Sequence, residues 1–291
     1  MDAGRKDIAS HYTLDCSGKI LTFDLPKVMG VLNVTPDSFY DGGRYPTPEL
    51  ALNQAIRMVA EGAVIIDVGG ESSRPGSQPV GVEEEIKRTV PVIRLLAQHL
   101  QVPISIDTTK PEVMEQAILA GASIINDINA LQTEGALQVA RDSRVAVCLM
   151  HKQGISQTMQ TTPHYQDVVH EVRSFLEQRV ASCLDAGLSR QQLVVDPGIG
   201  FGKSVSHNLQ LIRHLSQFTQ MGLPLLVGIS RKSMLQTVLQ KPAEERLWGS
   251  VALATLAAWF GAHLIRAHDV AATVDAIKVV QAVSLPEQWC T

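Results

Sequence analysis

Cysteine is scarce in this chain. The four cysteines among 291 residues, Cys16, Cys148, Cys183 and Cys290, are scattered, and no two share a metal-ligand or redox spacing. That excludes a disulfide framework and a cysteine-rich zinc module, and it suits reduced thiols in the cytoplasm. Long apolar runs are missing too. The longest, residues 251–260, falls well short of the ~20 residues that cross a bilayer, so no membrane association is expected. A strong excess of either charge is lacking. The net charge of −4 and an isoelectric point near 6.1 give no reason to expect nucleic acid or an anionic membrane as partner. Any anion site must therefore be local. The polar, mixed-charge residues 1–15 do not read as a signal peptide. No linker, low-complexity segment or charge block divides the chain, so one domain over residues 1–291 is expected. With 45% apolar residues it can fill a sizeable core.

What is present is a rhythm. Residues 12–14 and 19–23 flank Asp15-Cys16-Ser17-Gly18 and read as a β-hairpin within an N-terminal extension, residues 1–26. The hairpin could cover one end of a barrel. Strands are then expected at 28–32, 64–68, 104–106, 123–125, 145–149, 192–195, 223–227 and 264–265. Helical sequence alternates with them at 50–61, 82–100, 112–120, 135–141, 164–186, 208–218, 232–239, 247–261 and 270–283. Glycines 62, 121, 187 and 261 punctuate four helix ends, where a left-handed C-cap is common. Eight strand–helix units imply a parallel sheet, and in a chain of this length they fit an α/β fold of the (β/α)8 barrel type. An open doubly wound sheet is the alternative. No Gly-x-Gly-x-x-Gly follows the first strand, which counts against it.

A barrel of this kind builds its site where strands run into their following loops. Here every such junction carries polar groups. The organising stretch is Asp196-Pro197-Gly198-Ile199-Gly200-Phe201-Gly202-Lys203, a buried strand ending on a carboxylate and becoming a glycine loop, with Ser204 or Ser206 to cap the next helix. Glycine lets the backbone approach a flat ligand closely. A carboxylate at the end of a buried strand needs a partner. A ring offering two parallel N–H donors, as a 2-aminopyrimidinone does, would supply one. The plainer reading makes Asp196, Asp107 and Asn126 caps or turn residues. It makes Arg266 and His268 a surface ion pair with Asp269.

Five motifs together decide between these readings. They are Leu32-Asn33-Val34-Thr35-Pro36-Asp37-Ser38-Phe39, Gly70-Glu71-Ser72-Ser73-Arg74-Pro75-Gly76, the Asp196–Lys203 stretch, Ser230-Arg231-Lys232-Ser233 and Arg266-Ala267-His268-Asp269. With them the chain, from about Met29 to its last helix, resembles the dihydropteroate synthase family. That resemblance implies a (β/α)8 barrel, usually a Mg2+-dependent homodimer and the target of sulfonamides. The reaction it implies joins 6-hydroxymethyl-7,8-dihydropterin diphosphate to para-aminobenzoate, giving 7,8-dihydropteroate and diphosphate in folate biosynthesis.

The resemblance also implies roles. Asp107, Asn126 and Asp196 would hold the pterin, Lys232 would donate to its carbonyl side, and Met150 would pack on the ring face. Arg266 and His268, two apart and so on one face of a strand, would hold the diphosphate. Ser73 would add a hydroxyl there, and Asn33 would ligate Mg2+. Ser233, at a helix start, would meet the arylamine carboxylate, with Phe201 and Pro75 as apolar walls. Arg74 and the loop 34–43 would close over the reacting atoms and exclude water. Departure of the leaving group is the hard step. It would run through a pterin-methyl cation helped by Mg2+ and Arg266 and stabilised by Asp107, so that Asp107, Lys232 and Arg266 are the expected catalytic groups. Tyr40 stands where the family commonly has a small residue, and Ser73 where it has Thr. Asp67 reads as structural. Two rivals are a pterin-binding methyltransferase, which has no use for the diphosphate set Asn33, Ser73, Arg266 and His268, and a paralogue that binds pterin without turning it over.

Overall fold

The computed structural model describes residues 12–35, 47–71, 79–154, 159 and 163–289. The expectations placed on Phe39, Tyr40, Ser73, Arg74 and Pro75 lie outside these residues. Strands β1 (Thr13–Cys16) and β2 (Lys19–Thr22) form an antiparallel hairpin. Its two turn residues, Ser17 and Gly18, have φ of 56° and 89°, the mirror-image turn that matches the twist of the strands. Gly18 N donates to Asp15 Oδ1 at 2.7 Å, which completes the turn.

The alternating units come next. They are β3 (Lys27–Asn33) and α1 (Pro48–Ala60), then β4 (Ala63–Gly69) and α2 (Val82–His99), then β5 (Ile104–Asp107) and α3 (Pro111–Leu119). Beyond them lie β6 (Ile124–Asp127) and α4 (Ala136–Ser143), then β7 (Ala146–Met150) and α5 (Val168–Asp185). After β8 (Leu193–Asp196) stand α6 (Val205–Arg213) and α7 (Leu215–Thr219). After β9 (Leu226–Gly228) stand α8 (Met234–Leu239) and α9 (Leu247–Trp259), and the chain finishes with β10 (Leu264–Ala267) and α10 (Val270–Ser284). The expected helix 208–218 is thus two helices parted at His214, whose φ and ψ of −109° and 20° leave the helical region. The expected helix 164–186 begins later. Asp167 caps it at 3.1 and 3.0 Å from Val169 N and His170 N, and residue 164 is tied instead to Gln153 Oε1.

The eight strands β3–β10 pair in parallel in the order β8-β7-β6-β5-β4-β3-β10-β9. A single parallel bridge, Val195 to Leu225, closes β8 against β9 and makes the (β/α)8 barrel. Side chains alternate along each strand, so one set fills the barrel and the other faces the helices. The inward set has two levels. The lower is apolar: Met29, Ile65, Ile124, Ala146, Cys148, Val194, Leu226 and Leu264 pack with Leu14, Cys16 and Phe23 of the hairpin segment. Leu14 and Phe23 are fully buried, each worth ~1.5–3 kcal/mol, so packing holds the hairpin across the amino end of the barrel. Two residues further along the same strands the level turns polar, with Asp67, Asn126, Asp196 and Arg266. No described helix is long and apolar enough to cross a membrane.

Candidate active site

The polar level begins with Asp67. It is fully buried, and its Oδ2 accepts from Arg266 Nε at 2.6 Å and from Asn126 Nδ2 at 3.1 Å. Arg266 Nη2 donates to Asp107 Oδ2 at 2.8 Å. One guanidinium on β10 thus ties together a carboxylate inside β4 and the one that ends β5. The carboxamide of Asn126 is fixed as well. Its NH2 gives one of its two protons to Asp67. Asp67, read from sequence as structural, sets the orientation of two neighbours.

Asp196 stands at the end of β8. Its Oδ1 accepts from Gly198 N at 2.7 Å, which turns the chain into the glycine loop. Burial pushes its carboxyl up to about 6, against the pull of that bond and of the cations Lys232, Lys203 and Arg266. Burial pushes Asp107 up too. Arg266 opposes that shift, while Asp67 and Glu85 add to it. Asp127 follows Asn126 but faces away from the barrel. It accepts from Asn129 N and Leu131 N, both at 2.7 Å, and so holds Ala130 and Leu131 in the left-handed conformation.

Asp107, Asn126, Met150, Asp196, Phe201, Lys232 and Arg266 line one small cavity at the carboxyl end of the strands, with Ile128, Ile199 and Gly228. Apolar walls come from Ile128, Met150 and Phe201, which pack with Met159 as one cluster. The Lys232 ammonium lies 4.0 Å above the Phe201 ring. The turn that carries Lys232 is held from behind. Arg231, at φ 56°, gives its N–H to Ser250 Oγ at 2.8 Å, and its carbonyl accepts from Arg246 Nη1 at 3.2 Å.

His268 and Ser233 are not in that lining. His268 follows β10, and its Nδ1 is 3.0 Å from Ser230 Oγ. Asp269 does not pair with Arg266 or His268 as the plainer reading had it. It holds Arg231 through two bonds of 3.0 and 2.6 Å. Ser233 is exposed at the start of α8, a helix of six residues, and its side chain makes no cap bond. Among the described residues no three His, Cys, Asp or Glu gather as a metal site. Asn33 ends β3. Its Oδ1 and Asp107 Oδ2 both lie beside Gly69, 3.5 and 3.8 Å from where a Cβ would stand. That is one neutral oxygen with a carboxylate close by. It suits Mg2+, which keeps most of its water and draws its remaining ligands from phosphate.

Sequence reasoning gave no role to His151, Tyr165, Lys203 or Asn208, yet these four hold the glycine loop. Gly200 N donates to Asn208 Oδ1 at 2.7 Å, and Tyr165 Oη donates to Gly202 O at 2.9 Å. Lys203 is buried among loop carbonyls beside His151. One signal was available. A lysine closing a motif of glycines and apolar residues has to satisfy the backbone around it if it is buried.

The comparisons agree with this geometry. A family model described as "Pterin binding enzyme" matches residues 29–268. The dihydropteroate synthase of Escherichia coli K12 is 50% identical over 269 residues, covering 92% of this chain and 95% of that protein. The Haemophilus influenzae dihydropteroate synthase is 47% identical, covering 92% and 98%. Among solved structures, the Yersinia pestis dihydropteroate synthase in a sulfonamide drug complex superposes with a TM-score of 0.89 at 47% identity, covering 93% and 98%. The Xanthomonas albilineans dihydropteroate synthase with 4-aminobenzoic acid gives 0.89 at 49% identity, covering 94% and 98%. The same Xanthomonas enzyme has also been solved with 7,8-dihydropteroate. With that match over most of its length, and with the acids, the amide and the cations of its barrel gathered on one cavity, this chain belongs to the pterin-binding enzymes and, among them, to the dihydropteroate synthases, which are transferases.

Proposed function

We propose that this chain joins 6-hydroxymethyl-7,8-dihydropterin diphosphate to para-aminobenzoate and releases diphosphate and 7,8-dihydropteroate. The observation that carries this is the convergence of Asp107, Asn126, Asp196, Lys232 and Arg266 on one cavity with apolar walls. A pterin is flat and has a donor edge. Asp196 accepts from that edge, Asn126 offers its oxygen, and Met150 covers a face. The relatives crystallised with 4-aminobenzoic acid, 7,8-dihydropteroate and a sulfonamide support both substrates, and they lead us to expect sulfonamide competition with the arylamine.

The chemistry is a substitution at the pterin methylene carbon. The C–O bond to diphosphate breaks, and its electron pair leaves with the diphosphate. A pterin-methyl cation forms, stabilised by its ring nitrogens and by the Asp107 carboxylate. The arylamine nitrogen then forms the C–N bond and gives up a proton to solvent. Arg266 and His268 receive the anionic leaving group, with Ser73 contributing a hydroxyl, and Ser230 orients the His268 ring. Mg2+, when held by Asn33 with diphosphate, would neutralise charge on the leaving group. Arg74 belongs to the cover over the site, and Ser233 to the arylamine carboxylate. The three buried free thiols Cys16, Cys148 and Cys183 suit a reducing compartment such as the cytoplasm. α9 buries Leu253, Ala254, Ala257 and Ala258 but exposes Trp248, Leu256 and Trp259, and that apolar outer face is our homodimer surface.

The test is release of diphosphate when the protein is given both substrates and Mg2+. Release that needs both substrates is the expected result. Tight pterin binding with no release would make the chain a non-catalytic paralogue.

A further inference from the structure

We propose that Lys203 is a positioning residue for the arylamine side of the site, acting through the backbone of the glycine loop. This inference rests on the reaction proposed above and deepens it. Lys203 is 2% exposed, although it lies in a loop rather than in a strand or helix. Its Nζ is 2.9 Å from Gly198 O, 3.0 Å from Phe201 O, 2.9 Å from His151 Nδ1 and 3.3 Å from His151 O. Among the described residues no carboxylate forms a salt bridge with it. Burial pulls Lys203 down to about 7, and as an ammonium it has three protons for the three close acceptors around it. Burial and the neighbouring Lys203 push His151 down to about 3, so the ring is neutral and its Nδ1 can accept.

The loop has no ladder to satisfy its carbonyls, and a buried carbonyl without a partner is costly. Lys203 supplies the partner for two of them and ties both to His151, the residue that follows β7. The fit is close. A Cβ on Gly198 would lie 1.8 Å from His151 O, and one on Gly202 would lie 2.2 Å from Gln153 O. The His151 ring is itself seated against Phe175, with centroids 4.9 Å apart and planes at 89°. The peptide that Lys203 pins is that of Phe201. The Phe201 ring, which the proposed reaction makes an apolar wall for the arylamine, lies under Lys232. Two pterin ligands, Asp107 and Asn126, are set by the strand ends of the barrel, and Asp196, although its Oδ1 accepts from Gly198 N, has its backbone in β8. Releasing the loop should therefore disturb the two substrates unequally.

The test uses Lys203→Met, His151→Leu and His151→Asn, the last of which keeps an acceptor oxygen near the place of Nδ1. Steady-state kinetics give KM for para-aminobenzoate and kcat, calorimetry gives affinity for 6-hydroxymethylpterin, and hydrogen exchange follows residues 198–202. Lys203→Met and His151→Leu should raise the arylamine KM at least tenfold. They should change kcat and, at pH 8 where Asp196 is ionised, pterin affinity less than threefold and should speed exchange in the loop. His151→Asn should stay within threefold of wild type on each measure. If Lys203→Met does not fold, the two His151 variants decide by the same criteria. An unchanged arylamine KM, or equal losses for arylamine and pterin, overturns the inference while wild type is active. A wild type that releases no diphosphate overturns the reaction and the inference together.

Discussion

Asp196 must be ionised to accept two ring N–H groups from a pterin. Its carboxyl titrates near 6 in the folded protein, against an ordinary value of 3.8, because burial disfavours its charge. Pterin affinity should therefore fall as pH drops through about 6, and calorimetry from pH 5 to 8 will show the step. Asp196→Asn should lower affinity by about 10- to 100-fold at pH 8, the loss of one charge-assisted contact of ~1.5–3 kcal/mol. It should also flatten the step. Flat wild-type affinity down to pH 5 would remove Asp196 from the pterin contacts. Stability moves the opposite way. The folded state binds this proton more tightly, so the contribution of Asp196 is greatest below about pH 4 and is lost as pH rises through 6. Arg266 presents a different case. It already neutralises Asp67 and Asp107, so removing it leaves two buried carboxylates facing each other. Arg266→Ala should cut turnover at least 100-fold at saturating substrates and weaken diphosphate binding more than binding of the bare pterin. Equal losses for the two ligands would mean that Arg266 orders the barrel floor rather than receiving the leaving group.

At the scale of elements, glycine separates two kinds of turn. Gly18 in the hairpin has φ 89° and open space where a Cβ would stand, whereas Gly198 has φ 67° and a carbonyl there. Gly18→Ala should cost only the left-handed strain, ~1–2 kcal/mol. Gly198→Ala adds the displacement of a docked loop and should cost about 3 kcal/mol or more. Chemical denaturation of both variants measures the pair, and similar costs would show that the loop yields easily. The elements also show where sequence pattern stops. The strands and most helix spans were legible, since alternation and capping residues are local. The break at His214 carries no proline or glycine, and no local rule marks it. The delayed start of α5 was readable in principle from Asp167, whose capping preference competes with the apolar periodicity before it.

At the scale of the molecule, a single bridge closes the barrel between β8 and β9, and an apolar face stands open on α9. Trp248 is 75% exposed, and with Leu256 and Trp259 it gives α9 an outer surface that water covers poorly. Sedimentation should find a dimer in the wild-type protein. Trp248→Glu should shift it towards monomer with its circular dichroism unchanged. A wild-type monomer at micromolar concentration would dismiss α9 as the interface.

The sequence by itself pointed to the barrel and to a hairpin over one of its ends, and its resemblance to the family named seven residues that line the cavity. Strand periodicity and polar strand ends are properties of neighbouring residues, and eight repeats of one unit leave few topologies. Only the tertiary structure decided who partners whom. Asp67 meets Arg266 across 199 positions of sequence, and Arg231 rather than Arg266 takes Asp269. Lys203 finds His151 52 residues away. Such pairs depend on which side chains the closed barrel brings within 3 Å, and on the cost of leaving a buried charge or carbonyl unmatched. No local pattern encodes either.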